Sequence, residues 1–178
     1  RVFLNGFDED IVKDEIARLN KLSGTQGWLY KNYSGMYLRD VRGQTKPQWR
    51  PRAFKDFNAM KLDSIFEDIH SMPSSNEKDA LLFSAVIAMN KVFNGTNDQK
   101  SSLKEWSKAS TKAVCLEMPT NISGVTGTVE NCDIFESKNT TVDVVYLDPP
   151  YTTGVLYDAC YHLNDSVVLW DKPAVDTS

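Results

Sequence analysis

Val142-Asp143-Val144-Val145-Tyr146-Leu147 runs directly into Asp148-Pro149-Pro150-Tyr151. All but one of the first six residues are β-branched, aromatic or aliphatic. That composition predicts a strand buried on both faces, as in a parallel sheet. In open α/β sheets, ligands bind just beyond the carboxyl ends of the strands, and Asp148 to Tyr151 falls at such a place. Each proline fixes its own φ and restricts the residue before it. The pair would hold the Asp148 carboxylate and the Pro149 carbonyl in fixed directions, with the flat face of Tyr151 beside them. A plain turn after a buried strand is the competing reading of the tetrapeptide.

Working outward, Val125 to Glu130 reads as a second strand after a Ser-Gly turn, and residues 155–170 as a helix with Leu156, Cys160, Leu163, Val167 and Trp170 as its apolar set. Upstream the character is helical. Residues 8–20 carry Asp8, Glu9 and Asp10 where a first turn favours acids, then Ile11, Ile16 and Leu19 near helical spacing. Residues 28–52 lack a clean period and hold Pro47 and Pro51, so a long loop or an irregular hairpin is expected there. Residues 53–71 form a helix with the stripe Phe54, Phe57, Leu62, Ile65, Phe66 and Ile69, leaving Lys55, Asp63 and Asp68 off it. From Ala80 to Phe93 the next helix is apolar nearly all round, which predicts a central core helix capped by Ser75 or Asn76. Residues 94–101 read as a loop and Leu103 to Ala113 as a short helix carrying Trp106. The fold class is therefore α/β, with a helical segment over 1–118 and an α/β segment over 119–178.

Composition bounds the rest. The 178 residues, 41% hydrophobic and 25% charged, match an ordinary globular domain. No run of about 18 apolar residues predicts a membrane span. Cys115, Cys132 and Cys160 are odd in number and widely spaced, so buried thiols in a reducing cytoplasm are expected rather than a disulfide framework or zinc site. Two histidines without paired cysteines or carboxylates give no metal site. His162 is expected to be a hydrogen-bonded structural histidine and His70 a favourable charge at a helix C-terminus.

Net charge is −4, which argues against indiscriminate nucleic-acid binding. Its distribution is uneven. Arg39, Arg42, Lys46, Arg50, Arg52 and Lys55 cluster with only Asp40 as an acid, and Tyr37, Trp49 and Phe54 are interleaved. This is either a solvated loop or a nucleic-acid surface.

The Asp-Pro-Pro-Tyr group suits chemistry on an exocyclic amine, whose lone pair is delocalised into the ring it hangs from. Two acceptors on its N–H bonds would turn that lone pair toward an electrophile and stabilise the charge that develops. An aromatic face would stack on a base swung out of a duplex.

At these residues the chain resembles the adenine-specific DNA methyltransferases with an Asp-Pro-Pro-Tyr signature, and most of all the branch found in type IIS restriction–modification systems. Tyr146 to Tyr151 with Tyr157 and Tyr161-His162-Leu163 resembles that branch's run around the motif. Tyr30-Lys31-Asn32-Tyr33-Ser34, Asn58 with Leu62-Asp63-Ser64-Ile65, and Asn90-Lys91-Val92-Phe93-Asn94 with Leu103-Lys104-Glu105-Trp106 resemble its upstream blocks in order. The resemblance implies a partial Rossmann-like sheet joined to a target-recognition segment. It also implies S-adenosylmethionine as methyl donor and double-stranded DNA as partner. Asp148, Pro149, Pro150 and Tyr151 would form the catalytic group, and Asp133 in Asn131-Cys132-Asp133 would contact the adenosine of the cosubstrate. Arg39, Arg42, Lys46, Arg50 and Arg52 would touch DNA.

Two departures stand out. The family's Phe-x-Gly-x-Gly loop has no counterpart, and Thr152, Thr153 and Gly154 stand where the family often has an Asn and an Arg. An internal fragment or partial domain is therefore expected, with a missing segment or second chain supplying the loop. An RNA or other amine methyltransferase, and a non-catalytic DNA-binding remnant, are the rival readings.

Overall fold

The computed structural model describes residues 6–39, 48–96, 99, 101–120, 132–136, 143–148 and 157–175. In chain order the elements are α1 (Glu9–Leu19), α2 (Trp28–Tyr33), β1 (Met36–Arg39), β2 (Gln48–Pro51), α3 (Asp56–Ser71), α4 (Asn76–Val92), a single 3-10 turn (Ile134–Glu136) and α5 (Tyr157–Leu169). Among the described residues no helix is long and apolar enough to cross a membrane.

The helices begin where the sequence supplies caps. The Asp8 carboxylate accepts from the amides of Asp10 (3.0 Å) and Ile11 (3.2 Å), and the Ser75 hydroxyl accepts from Lys78 N (3.2 Å). The exit of α3 is closed by Lys78, whose Nζ donates to the carbonyls of His70 (3.0 Å) and Met72 (2.7 Å). As expected, α4 is central: it packs against α1, α3 and α5. Its small residues Ala80, Ser84, Ala85 and Ala88 are buried, which lets its neighbours approach closely, while Leu81, Met89 and Val92 fill the space between. Burying each large aliphatic or aromatic side chain in this core contributes about 1.5–3 kcal/mol.

Two faces differ from their predicted stripes. In α1 the buried set is Val12, Ile16 and Leu19, and Ile11 is 52% exposed. Val12, not Ile11, is four residues before Ile16 and seven before Leu19, so it shares their side of the helix. In α3, Phe57 is 49% exposed and Asp63 is buried at 3%. The apolar row of α3 therefore includes one carboxylate.

Residues 103–113 do not form the expected helix; they wind through turns. Three asparagines tie down this stretch and residues 114–116 beyond it. Buried Asn94 accepts at Oδ1 from Ser107 N (2.9 Å) and Ser110 Oγ (3.2 Å). Buried Asn58 donates to the Lys112 carbonyl (2.8 Å) and accepts from Val114 N (2.8 Å). Asn20 spans Leu116, donating to its carbonyl (3.0 Å) and accepting from its amide (2.9 Å). Side-chain amides thus satisfy backbone groups that a helix would have satisfied internally.

The cysteine expectation is also corrected. Cys115 and Cys132 are exposed and Cys160 is half-buried.

The region expected to be a long loop or an irregular hairpin holds an antiparallel ribbon, with Met36 opposite Pro51, Tyr37 opposite Arg50, Leu38 opposite Trp49 and Arg39 opposite Gln48. Gly35 introduces it with φ of +76°, a conformation only glycine adopts freely. The six-residue α2 just before it escaped the sequence reading.

The largest correction concerns the stretch read as a buried strand. Residues 143–148 form no strand, and Val144, Val145, Tyr146 and Leu147 are all exposed. A strand exists by pairing, and the one sheet among the described residues is the β1–β2 ribbon, which lacks a place for it. The second predicted strand, 125–130, lies outside the described residues.

Candidate DNA interface and motif segment

The ribbon displays two chemically different faces. Strand alternation puts Tyr37 and Arg50 on one side and Met36, Leu38 and Trp49 on the other. The Arg52 guanidinium lies 5.7 Å from the centre of the Tyr37 ring, and its Nη1 donates to the Asn32 carbonyl at 2.6 Å. Arg50 Nη2 donates to Gln48 Oε1 at 2.9 Å, whereas its buried Nε has no hydrogen-bond partner among the described residues. Just past the ribbon, Lys55 sits 4.2 Å above the Trp106 ring. Trp49, on the other face, is 63% exposed. The backbone of Arg39 pairs with Gln48 at the ribbon's end. Arg42 and Lys46 lie outside the described residues.

Behind the ribbon stands α2, held by a buried carboxylate. Asp63 on α3 accepts from the amides of Gly27 (3.0 Å), Leu29 (2.8 Å) and Tyr30 (2.8 Å). These are donors that a helix N-terminus leaves unpaired, and α2 lacks a side-chain cap of its own. Burial pushes the Asp63 carboxyl above its usual range, and the three N–H bonds oppose that rise. Gly27 must be glycine, since a Cβ there would come within 2.6 Å of the Asp63 carboxyl.

The far end of α2 meets α5. The Tyr33 ring stacks on His162, with centroids 6.0 Å apart and planes at 29°, and burial raises the Tyr33 phenol's pKa. His162 Nδ1 lies 3.2 Å from the Ala159 carbonyl, so this nitrogen is the donor, and the expected structural histidine is found. Trp28 Nε1 donates to the Pro173 carbonyl at 2.9 Å. Trp170, at φ 53°, closes α5. It packs beside Phe66 and stacks on His70 at 5.7 Å, and its Nε1 donates to Glu67 at 2.9 Å. His70 Nε2 donates to the Val167 carbonyl at 2.9 Å. It therefore serves the last turn of α5 as well as sitting at the end of its own helix.

A recess of about 520 Å³ lies between α4 and α5, lined in part by Asn90, Gln99, Asn164, Phe93 and Tyr161. Its three carboxamides interlock: Gln99 Nε2 donates to Asn164 Oδ1 (2.7 Å) and Asn90 Oδ1 (3.2 Å), and Gln99 Oε1 accepts from the amides of Leu163 and Asn164.

Of the predicted catalytic residues, Asp148 is described and exposed; Pro149, Pro150 and Tyr151 lie outside the described residues. Asp133 is exposed and opens the 3-10 turn, its Oδ1 accepting from Phe135 N at 2.9 Å and its carbonyl from Glu136 N at 2.9 Å. Among the described residues no cluster of three metal-ligating side chains occurs. Sequence reasoning missed Asp63, Tyr33 and Lys55–Trp106 as partners. The predicted apolar stripe of α3 leaves Asp63 off, although it stands three residues before buried Phe66 and four after buried Ala59.

These features accord with a family of DNA-modifying enzymes. The family model for D12 class N6 adenine-specific DNA methyltransferases matches residues 4–172, and the chain belongs to that family. Among curated proteins it is similar to the Type II methyltransferase M.NlaIII of Neisseria lactamica, with 28% identity over 163 residues. That alignment covers 88% of this chain and 46% of the relative, so the chain spans a little under half the length of the relative. No solved structure matches.

Proposed function

We propose that this chain takes part in transferring a methyl group from S-adenosylmethionine to the exocyclic amine of adenine in double-stranded DNA, as a methyltransferase of the restriction–modification type. The family match over residues 4–172, which contains Asp148-Pro149-Pro150-Tyr151, carries this reading. Methyltransferases of this family use S-adenosylmethionine as donor. The Asp148 carboxylate and the Pro149 carbonyl accept the two N–H bonds of the target amine and aim its lone pair at the methyl carbon. Pro150 stiffens the group and Tyr151 stacks on the base. The new bond joins the methyl carbon to nitrogen while the bond to sulfur breaks, leaving the thioether. The surplus amine proton departs by way of Asp148 to solvent.

Asp133 is assigned to the adenosine end of the cosubstrate. Arg39, Arg42, Lys46, Arg50 and Arg52 are assigned to DNA. An antiparallel ribbon is of a size that the major groove admits, and its cations and aromatic side chains supply phosphate contacts and stacking surfaces. A Rossmann-like sheet belongs to this reading at the level of the family. The helical segment 1–118 would serve recognition and 119–178 catalysis, in the cytoplasm, where DNA and methyl donor meet.

The test is calorimetric titration of S-adenosylmethionine into the purified chain, followed by labelled-methyl transfer to duplex DNA and to RNA. Binding and transfer to DNA alone support the reading. Transfer to RNA would move the substrate class. DNA affinity without cosubstrate binding would leave a DNA-binding remnant.

A further inference from the structure

Tyr33 joins the foot of the ribbon to the helix following the motif. On its main-chain side, its carbonyl accepts from Phe54 N at 2.9 Å. Gly35 N then donates to the Phe54 carbonyl (3.2 Å) and Arg52 N to the Gly35 carbonyl (2.8 Å), so the foot of the ribbon is laced to the end of α2. Arg52 adds its own bond to the neighbouring Asn32 carbonyl. On its side-chain side, the Tyr33 ring stacks on His162 of α5 at 6.0 Å with a 29° tilt, with Trp28 edge-on at 5.1 Å. The first residue of α5, Tyr157, is six positions past Tyr151. The other end of α2 is fixed to α3 through Asp63. Two links therefore run from the ribbon to α5: this aromatic contact, and a hydrogen-bonded one in which Ser102 Oγ donates to the Pro51 carbonyl (2.6 Å) and Gln99 N to the Cys160 carbonyl (2.8 Å).

We infer that Tyr33 and His162 are positioning residues, which set the helix following the motif according to whether the ribbon holds DNA. The inference rests on the proposed methyl transfer and adds coupling between its two parts. Neither residue touches the reacting atoms. Their effect is on the placement of the catalytic group, and small misplacements are costly in group transfer.

The chain has two histidines, so the ring C–H correlations of His162 and His70 can be assigned with one substitution. A short adenine-containing duplex should shift the His162 signal in the native chain and in Tyr33→Phe, which keeps the ring. In Tyr33→Leu the shift should vanish while the dissociation constant for the duplex stays within about threefold, a change worth less than 1 kcal/mol. Methyl transfer should fall about 10- to 100-fold in kcat with little change in KM for DNA in both Tyr33→Leu and His162→Leu, and recover in Tyr33→Phe. His162→Leu, at a half-buried position, guards against a Tyr33 variant that fails to fold. A His162 response to DNA that survives in Tyr33→Leu overturns the coupling alone. A native chain that binds no duplex overturns the functional reading and this inference with it.

Discussion

The helical body and the motif segment handle apolar side chains in opposite ways. In the body, Phe54, Phe66, Leu62 and Leu81 are fully enclosed, and even the buried polar groups Asn58, Asn94 and Asp63 accept or donate several bonds. In residues 143–148, by contrast, Val144 is 84% and Tyr146 87% exposed, although their sequence is as apolar as any core strand. The difference separates two kinds of information. A helix carries its backbone hydrogen bonds within itself and needs only one covered face. A strand's backbone is satisfied from outside, so its burial is a property of its neighbours. The body is thus self-sufficient, and the motif segment is a surface whose packing depends on what is placed beside it.

Substitutions in the two regions should separate along the same line. The largest effect belongs to Asp148→Ala. Methyl transfer should drop about 10²–10³-fold, the usual loss for one preorganised polar group at developing charge, while stability should change by no more than about 0.5 kcal/mol, the usual range at an exposed position. A larger shift in urea unfolding would blur the distinction. Next comes Asp63→Ala in the body. It removes the acceptor of the Leu29 and Tyr30 amides and one of two acceptors of Gly27 N, and should cost about 3 kcal/mol in urea unfolding. Gly27→Ala attacks the same junction by crowding the carboxylate and should cost about 1–3 kcal/mol; if it costs nothing, the approach of Gly27 to Asp63 is wrong.

Smaller still is Arg18→Ala. The Arg18 guanidinium pairs with Asp68 at 3.0 and 2.5 Å, and the bond from Arg18 holds the Asp68 carboxyl below its ordinary range. Because the folded value is depressed, the stabilisation is complete above the unfolded aspartate range and fades as pH falls through the folded value, below about pH 4. Arg18 is 44% and Asp68 27% exposed, so solvent screens the pair and its loss should cost under about 1 kcal/mol. The acid limb of the stability curve should flatten accordingly. Last, Val145→Asp should change the stability of this chain by no more than about 0.5 kcal/mol. A larger loss would mean that residue 145 is covered in solution.

The parts legible in the sequence were those that carry their own period. Ile16 and Leu19 of α1, Leu62, Ile65, Phe66 and Ile69 of α3, the core of α4, and Leu163 with Val167 in α5 recur at helical spacing and are buried where expected. The prolines and broken period of 28–52 left a long loop and an irregular hairpin open, and the pairing of β1 with β2 decides for the hairpin. Hidden were elements held from a distance. The helix α2 has six residues and no cap of its own; its anchor, Asp63, stands 36 residues beyond Gly27. Residues 103–113 carry Leu103 and Trp106 at helical spacing, yet Asn58 and Asn94 hold that stretch and its exit to Val114 in another path. For the site, the Asp-Pro-Pro-Tyr string and the basic cluster were readable as residue types. Their surroundings were not, because which face a strand covers is decided by elements that the string does not contain.

The Asp63 anchor also sets an order of assembly. A six-residue helix is too short to nucleate alone in water, so α2 can persist only after α3 has placed its carboxylate. The amides of Leu29 and Tyr30 should therefore gain protection from hydrogen exchange later than those of α3 during refolding. In the native state they should exchange through openings that leave α3 closed, a local event cheaper than global unfolding. The ribbon, laced to the end of α2, inherits that schedule.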